Sequence, residues 1–403
     1  MTAAPGVALS VPDRVGAPQW GGWSVQRRPV AAASVIFTAE NWWYEPPSLG
    51  SVAVVAAGSD EYRLVSSGWP VRAGEEALLS PDGRVVALPN QLVEAATGRT
   101  RSLPEVEGTE ETIPAAWSPQ GTLLAVVGVD GGHVAGADGV EVYRVRRAVL
   151  SVLEVASGRL TRVADLEPDN LAFGWLVAFA PDGRTLAYQS GETIVVASVE
   201  GHTRHRLTVP AGTRLAGKGA WTPDGTGLTL VGQRQCCTGD AYPARWQLTL
   251  VSPTTGAAVP GFTLPEQEGL VALRLLGWAP DGAAVVARYR PEPGATVAGF
   301  DSPDGITNGE WTAYDTDVAA LDPQGTARTL LTGEDQAVHG VDLADQAIAS
   351  GLTHPGTLPA DGIGPQYRWY ALVAGGTGLL LAIGVTLAIW GIRRSRSRPA
   401  VTT

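Results

Sequence analysis

The stretch Trp221-Thr222-Pro223-Asp224-Gly225 sits between two short apolar runs, and its echoes recur along the chain. They are Leu79-Ser80-Pro81-Asp82-Gly83, Trp117-Ser118-Pro119-Gln120-Gly121, Phe179-Ala180-Pro181-Asp182-Gly183 and Trp278-Ala279-Pro280-Asp281-Gly282. Proline presets φ at the first central turn position, and aspartate accepts hydrogen bonds from the backbone just ahead. Glycine takes the left-handed conformation that sends the next strand back antiparallel. One hairpin turn repeated at intervals of roughly 40 to 60 residues predicts a repeat fold of the propeller type.

Each phrase opens a larger unit. After Pro181-Asp182-Gly183 come strands at Thr185-Leu186-Ala187-Tyr188 and Thr193-Ile194-Val195-Val196-Ala197-Ser198, a tight turn at Glu200-Gly201, and a last strand at Arg206-Leu207-Thr208-Val209. With the strand before the phrase these make one four-stranded antiparallel blade. The aromatics Trp117, Phe179, Trp221 and Trp278, each just ahead of a phrase, are expected to pack between neighbouring blades. The Pro-Asp-Gly phrase followed by a short strand resembles the TolB-type, WD-repeat-like β-propeller repeats of bacterial periplasmic, membrane and peptidase-associated proteins, over roughly residues 76 to 350. The resemblance implies a fold, protein binding and a place at the cell envelope; its motif is structural and assigns no functional residue. The chain after Gly351 reads as a linker, a helix and a tail, so the hydrolase activity of prolyl-oligopeptidase-like relatives is not implied.

Blades are expected at about 76 to 104, 113 to 166, 173 to 210, 217 to 265 and 272 to 332. A further blade has strands at 34–38, 51–55 and 62–65 but lacks an innermost strand, which Val338 to Ala344 can supply. Pairing the last strand with the first blade closes the ring and removes both sheet edges. The expectation is an all-β, six-bladed propeller over residues 33–351, or a seven-bladed one if the C-terminal pair joins the N-terminal segment. Residues 1–32 read as loosely organised.

Fifty Gly and 29 Pro in 403 residues suit a turn-rich all-β fold. The net charge of −11 argues against nucleic acid as a partner. Cys236 and Cys237 are adjacent and read as free thiols in a loop, with a redox or metal pair as the alternative.

Four blades carry long insertions, at 40–50, 129–140, 233–245 and 291–311, all between the second and third strands. Equivalent loops of successive blades leave the same face, so together they build one surface. Trp42, Trp43, Tyr44, Tyr242, Phe300 and Trp311 lie in or beside it, making it the candidate binding face for a protein partner; folding back over their own loops is the other reading. There is no nucleophile elbow, zinc-type His pair on a helix, Walker loop or dinucleotide fingerprint, and no cofactor is expected. His202 and His205 flank a turn and read as surface residues. Asp301, Asp304, Asn308 and Glu310 resemble a calcium loop without its full spacing. The leading expectation is a non-catalytic binding module. The alternatives are a lactonase-like hydrolytic propeller with a metal in the central channel, and a sensor subunit pairing with a membrane partner.

Residues 352–368 read as a linker, 369–392 as a transmembrane helix and 393–403 as a basic tail. Tyr370 to Ile392 carries no charge and spans about 34 Å as a helix, enough to cross a bilayer core. Trp369, Tyr370 and Trp390 suit an aromatic belt, and Arg393, Arg394, Arg396 and Arg398 come next. Small residues from Ala371 to Ala388 would support a helix-mediated dimer. Two rules conflict over orientation. The arginine cluster predicts a cytoplasmic tail and hence an exported propeller, whereas the first residues lack the apolar run of a secretion signal. The expectation leans to a tail-anchored protein with a cytoplasmic propeller, extracytoplasmic if the start lies upstream.

Overall fold

The computed structural model describes residues 9–19, 21–38, 51–68, 71–135, 141–169, 171–210, 212–234, 245–291, 313–334, 338–360 and 365–396. Two short strands, β1 (Val11–Pro12) and β2 (Arg14–Val15), come first. Blade 1 holds β3 (Ala33–Thr38), β4 (Ser51–Ala56) and β5 (Tyr62–Ser66). Blade 2 is β6 (Leu78–Leu79), β7 (Val85–Leu88), β8 (Gln91–Glu94) and β9 (Thr100–Ser102). Blade 3 is β10 (Glu111–Trp117), β11 (Leu123–Ala135), β12 (Glu141–Glu154) and β13 (Arg159–Leu166). A single helical turn, α1 (Phe173–Leu176), leads into blade 4, made of β14 (Val177–Phe179), β15 (Thr185–Ser190), β16 (Thr193–Ser198) and β17 (Thr203–Thr208). Blade 5 is β18 (Thr213–Leu215), β19 (Leu228–Arg234), β20 (Arg245–Val251) and β21 (Gln267–Glu268). Blade 6 is β22 (Ala272–Trp278), β23 (Ala284–Pro291), β24 (Ala313–Leu321) and β25 (Ala327–Gly333). After it come β26 (Gly340–Leu343), α2 (Asp345–Ser350), β27 (Thr353–His354) and the long helix α3 (Pro365–Arg396).

Strand β26 is the innermost strand of blade 1. It pairs antiparallel with β3, Asp342 opposite Ile36, and completes a ring of six four-stranded antiparallel blades. The seven-bladed alternative is therefore not adopted. Blades pack face to face, so their inner strands are covered on both sides and read as continuous apolar runs; every residue of β3 is buried. The aromatics ahead of the turn phrases do lie between blades. Trp221 Nε1 donates to Ala178 O in blade 4 at 3.2 Å, and Trp278 Nε1 to Gly219 O in blade 5 at 2.9 Å.

The turn chemistry is as the phrase predicts. Asp182 Oδ1 accepts from the backbone N–H groups of Arg184 and Thr185, each at 2.8 Å, and Oδ2 from Thr185 Oγ1 at 2.8 Å. Partial burial works against ionisation, but these donors outweigh it and hold the carboxyl below its ordinary range. Gly83 has φ of 71°, and a Cβ there would lie 2.0 Å from the carbonyl oxygen of Ala33 in blade 1. This turn thus needs glycine both for its conformation and for blade contact.

The N-terminal segment is the main departure from the sequence reading. Instead of lying loose, residues 9–19 and 21–30 form a strap across the closure. Strand β2 adds in parallel to β25, Arg14 opposite Thr332, as a fifth strand on blade 6. Val25 N then donates to Leu64 O of blade 1 at 3.0 Å, and Val30 N to Ala95 O of blade 2 at 2.9 Å. Val15 and Val25 are fully buried, so apolar anchors spaced along a polar segment hold it down. The sparse spacing of those valines is why periodicity did not reveal them.

Among the described residues no helix is long and apolar enough to cross a membrane. The helical conformation expected after residue 369 is present in α3, but the expected span runs past its described side chains at both ends. Those described include Leu372, Leu380 and Leu381, whose exposures are 71%, 71% and 66%.

Gly83→Ala should destabilise the propeller by about 2 kcal/mol or more, because it adds left-handed strain to a backbone clash. Urea unfolding of the two proteins checks this; an equal midpoint would mean that the turn relaxes freely.

Candidate functional site

Connections in an antiparallel blade alternate between its ends. The Pro-Asp-Gly turns join first to second strands and occupy one face of the disc. The insertions join second to third strands and leave the opposite face, as the β11–β12, β19–β20 and β23–β24 pairings require. Trp42, Trp43, Tyr44, Tyr242, Phe300 and Trp311 all lie outside the described residues, as do Asp301, Asp304, Asn308, Glu310, Cys236 and Cys237. What is described on this face is its floor and one arm. The arm is the two-stranded ribbon of β11 and β12, which stay paired out to Ala135 and Glu141. Their neighbours stop earlier: β10 ends opposite Val129, and β13 opposite Ala148. The ribbon therefore stands roughly 20 Å clear of its blade.

The centre of the face is closed by side chains that the sequence reading missed. Arg274, on β22, reaches the axis fully buried. Its Nη1 donates to Gly74 O at 2.5 Å, its Nη2 to Val341 O at 2.5 Å, and its Nε to Tyr289 Oη at 3.0 Å. One guanidinium thus ties blade 6 to blade 1 and to the segment entering blade 2. From blade 4, Trp175 Nε1 donates across the disc to Leu273 O at 2.9 Å, and its ring lies 5.9 Å from that of Tyr289. Gly74, with φ of 88°, is where the guanidinium passes; a Cβ there would meet Arg274 Nη2 at 1.8 Å.

Three acids surround this plug. Glu75 is buried, with Arg72 Nη1 3.7 Å from its Oε1, and burial pushes its carboxyl up against the opposing pull of Arg72 and Arg274. Glu76, beside it and partly exposed, is pushed up to about 7 by burial and by the nearby Glu75. Asp342 is fully buried; its Oδ2 accepts from Leu79 N at 2.9 Å and its Oδ1 lies 3.0 Å from Lys218 Nζ. Lys218 also donates to Leu343 O at 2.6 Å and to Asp345 at 2.8 Å. Burial opposes its charge, but the two aspartates prevail and raise its pKa. A signal for this centre did exist in the sequence: Arg274 and Asp342 are lone charges inside apolar innermost strands.

A serine–histidine–aspartate chain of contacts joins the strap to the linker and to blade 1. Ser10 Oγ lies 2.8 Å from His354 Nδ1, and His354 Nε2 lies 2.9 Å from Asp60 Oδ1. Asp60 Oδ2 accepts from Thr357 N at 3.0 Å. The strands beside Ser10 and His354, β1 and β27, pair directly with each other, so these contacts serve as a clasp between the strap and the linker toward α3. His202 Nδ1 faces Ser198 Oγ at 3.4 Å, and His205 lies in β17 opposite Val196. Among the described residues no group of three or more His, Cys, Asp or Glu side chains is placed to hold a metal ion.

No family model matches the chain, and no curated protein does. Solved structures similar to it include hydrazine synthase of Kuenenia stuttgartiensis, at 16% identity and a TM-score of 0.36 over 64% of this chain and 66% of that one. TolB from Acinetobacter baumannii is similar at 12% identity and a TM-score of 0.36, over 81% and 84%. Oligogalacturonate lyase from Vibrio parahaemolyticus is similar at 10% identity and a TM-score of 0.40, over 82% and 80%. The class, a six-bladed all-β propeller, rests on the chain's own strand topology.

Arg274→Met keeps much of the volume at the axis but leaves Gly74 O and Val341 O without their donor and Glu75 with Arg72 as its remaining cation. It should cost about 3 kcal/mol or more in urea unfolding; a loss within error would show that the plug is only packing. The pH dependence has a definite sign. Glu76 holds a proton in the folded state that the unfolded chain, with the ordinary value of 4.5, has released. Its stabilising contribution is complete below about pH 4.5, declines as pH rises to about 7 and is flat above. Glu76→Gln should abolish this slope, so its stability relative to the parent should rise over that window.

Proposed function

We propose that the protein is a membrane-anchored propeller that binds a protein partner on its insertion face and performs no chemistry there. The observation that carries this reading is the β11–β12 ribbon, which projects from the same face as the three other long insertions while the centre of that face is filled. A ligand is then met by loops and ribbon rather than drawn into a channel. The alternative of a hydrolytic propeller with an axial metal is disfavoured by Arg274, a cation held where such a metal would sit.

The anchor in this reading is α3. Its exposed leucines suit lipid, and the charge-free run Tyr370 to Ile392 has the length to span a bilayer core. The protein should stay in the membrane pellet through alkaline carbonate, and a chain ending at Ala360 should not; release of the full chain would defeat the anchor. Protease added to intact cells then decides the side, digestion placing the propeller outside and protection until lysis placing it in the cytoplasm.

The binding face is tested by photo-crosslinking residues introduced in cells at positions 43 and 311, with position 101 on outer strand β9 as control. Positions 43 and 311 should capture one common protein and position 101 should not. Equal capture from all three would rule out a dedicated face.

A further inference from the structure

The fourth-strand position of blade 3 is only partly filled. Strand β13 pairs with β12 as far as Leu166 opposite Ala148, and the chain then leaves, Glu167 N donating to Ser190 Oγ of blade 4 at 2.9 Å. Strand β12 continues outward through Arg147, Arg146, Val145 and Arg144, bonded on one side to β11. Its other side presents backbone donors and acceptors that no strand among the described residues takes up. An edge of this kind is a template for an added strand.

The side chains along that edge select the strand. Arg144 and Arg146 are exposed, and Arg147 is partly exposed. Arg146 Nη2 donates to Gly131 O at 2.9 Å and lies 3.4 Å from Asp130, while Arg147 Nη1 donates to Gly108 O at 3.1 Å. Arg144, Arg146 and Arg147 lie on β12 itself, whereas the acids at this level, Asp130 and Glu111, lie on β11 and β10, so the free edge of β12 is basic in a chain whose net charge is −11. Glu141 stands further out, at the start of β12, so the basic root sets the register. The opposite edge, on β11, carries Asp130, Gly131 and Gly132 at the same level, an acid and two glycines that offer an acidic strand no cation.

We propose that the outer edge of β12, from Arg144 to Arg147, accepts an extended acidic segment of a partner protein as an added strand, continuing the line that β13 vacates. The backbone supplies the pairing, and carboxylates on the incoming strand face Arg144 and Arg146. A second copy of the same edge is disfavoured, because it would set arginine against arginine. The register irregularity between Asp130 and Gly131, which leaves Arg146 as the extra residue, works the same way against self-pairing. This inference rests on the insertion face being the binding face, and it names the chemistry of the partner.

The test uses the full-length protein in detergent and two short capped peptides with the same Val/Thr alternation, one carrying Glu and the other Lys at the remaining positions. Fluorescence anisotropy should show binding of the Glu peptide, weakening as salt is added, and at least about tenfold weaker binding of the Lys peptide. The double variant Arg144→Glu, Arg146→Glu, confirmed folded by an unchanged urea midpoint, should reverse the preference. Backbone amides from Val142 to Arg147 should exchange more slowly with the Glu peptide bound. Equal binding of the two peptides, an unaltered preference in the double variant, or protection confined to other blades would overturn the proposal. Failure of the wider reading shows separately, as loss of the common capture from positions 43 and 311. That capture persisting without peptide selectivity would reject the added strand alone.

Discussion

A ring of blades closes only where its two ends meet, and here that junction is an antiparallel pairing between two segments some three hundred residues apart in sequence. Strand β26 enters blade 1 beside β3, bringing Asp342 into the interior. A carboxylate in that position is tolerable only if it is matched, and Leu79 N and Lys218 match it from blades 2 and 5. The closure thus depends on charged groups that the rest of the ring must present in the right place. The strap reinforces the seam from outside, running from blade 6 over blade 1 to blade 2 and burying Val15 and Val25 as it goes. The junction is thereby secured at the axis by electrostatics and at the rim by backbone pairing.

The axial plug follows from the same constraint. Innermost strands converge toward the centre, where side chains from facing blades compete for limited space, and glycine at 74 with arginine at 274 is one solution. The long side chain fills volume along its stem, and its planar head satisfies carbonyls from two other segments that would otherwise be buried without donors. A buried charge rarely outdoes apolar packing of the same shape, but once carbonyls from two other segments are built around it, removing it leaves them unsatisfied, which is costly.

The repeat was legible because its signal is local. Pro181, Asp182 and Gly183 encode their turn within a few residues, and the same is true at 81–83, 223–225 and 280–282. Closure was legible too, since blade 1 visibly lacked a strand and Val341 and Leu343 offered one. The strap was not. Its pairing with β25 joins Arg14 to Thr332 across the length of the chain, and strands of two residues leave no periodicity to read. The axial cluster was hidden for a related reason, because Glu75, Arg274 and Asp342 come from three distant segments. The aromatic insertion residues were legible only as composition, and they lie outside the described part of the structure.

The clasp has a consequence for the membrane-anchored reading. Gly356 N donates to Asp13 Oδ1 at 2.8 Å, Arg14 Nε donates to Gly356 O at 3.1 Å, and Gln19 donates to Ala360 O, so the linker is bound to the strap through Ala360. Helix α3 begins at Pro365. Even fully extended, the chain from Ala360 to Pro365 spans only roughly 18 Å, and the helix from there to Tyr370 adds about 8 Å. An anchored propeller would therefore be held close to the lipid surface, and its partner would have to be reachable there. That favours a partner that is itself a membrane component, or one presenting a long extended segment. An acidic strand laid along β12 meets the second condition.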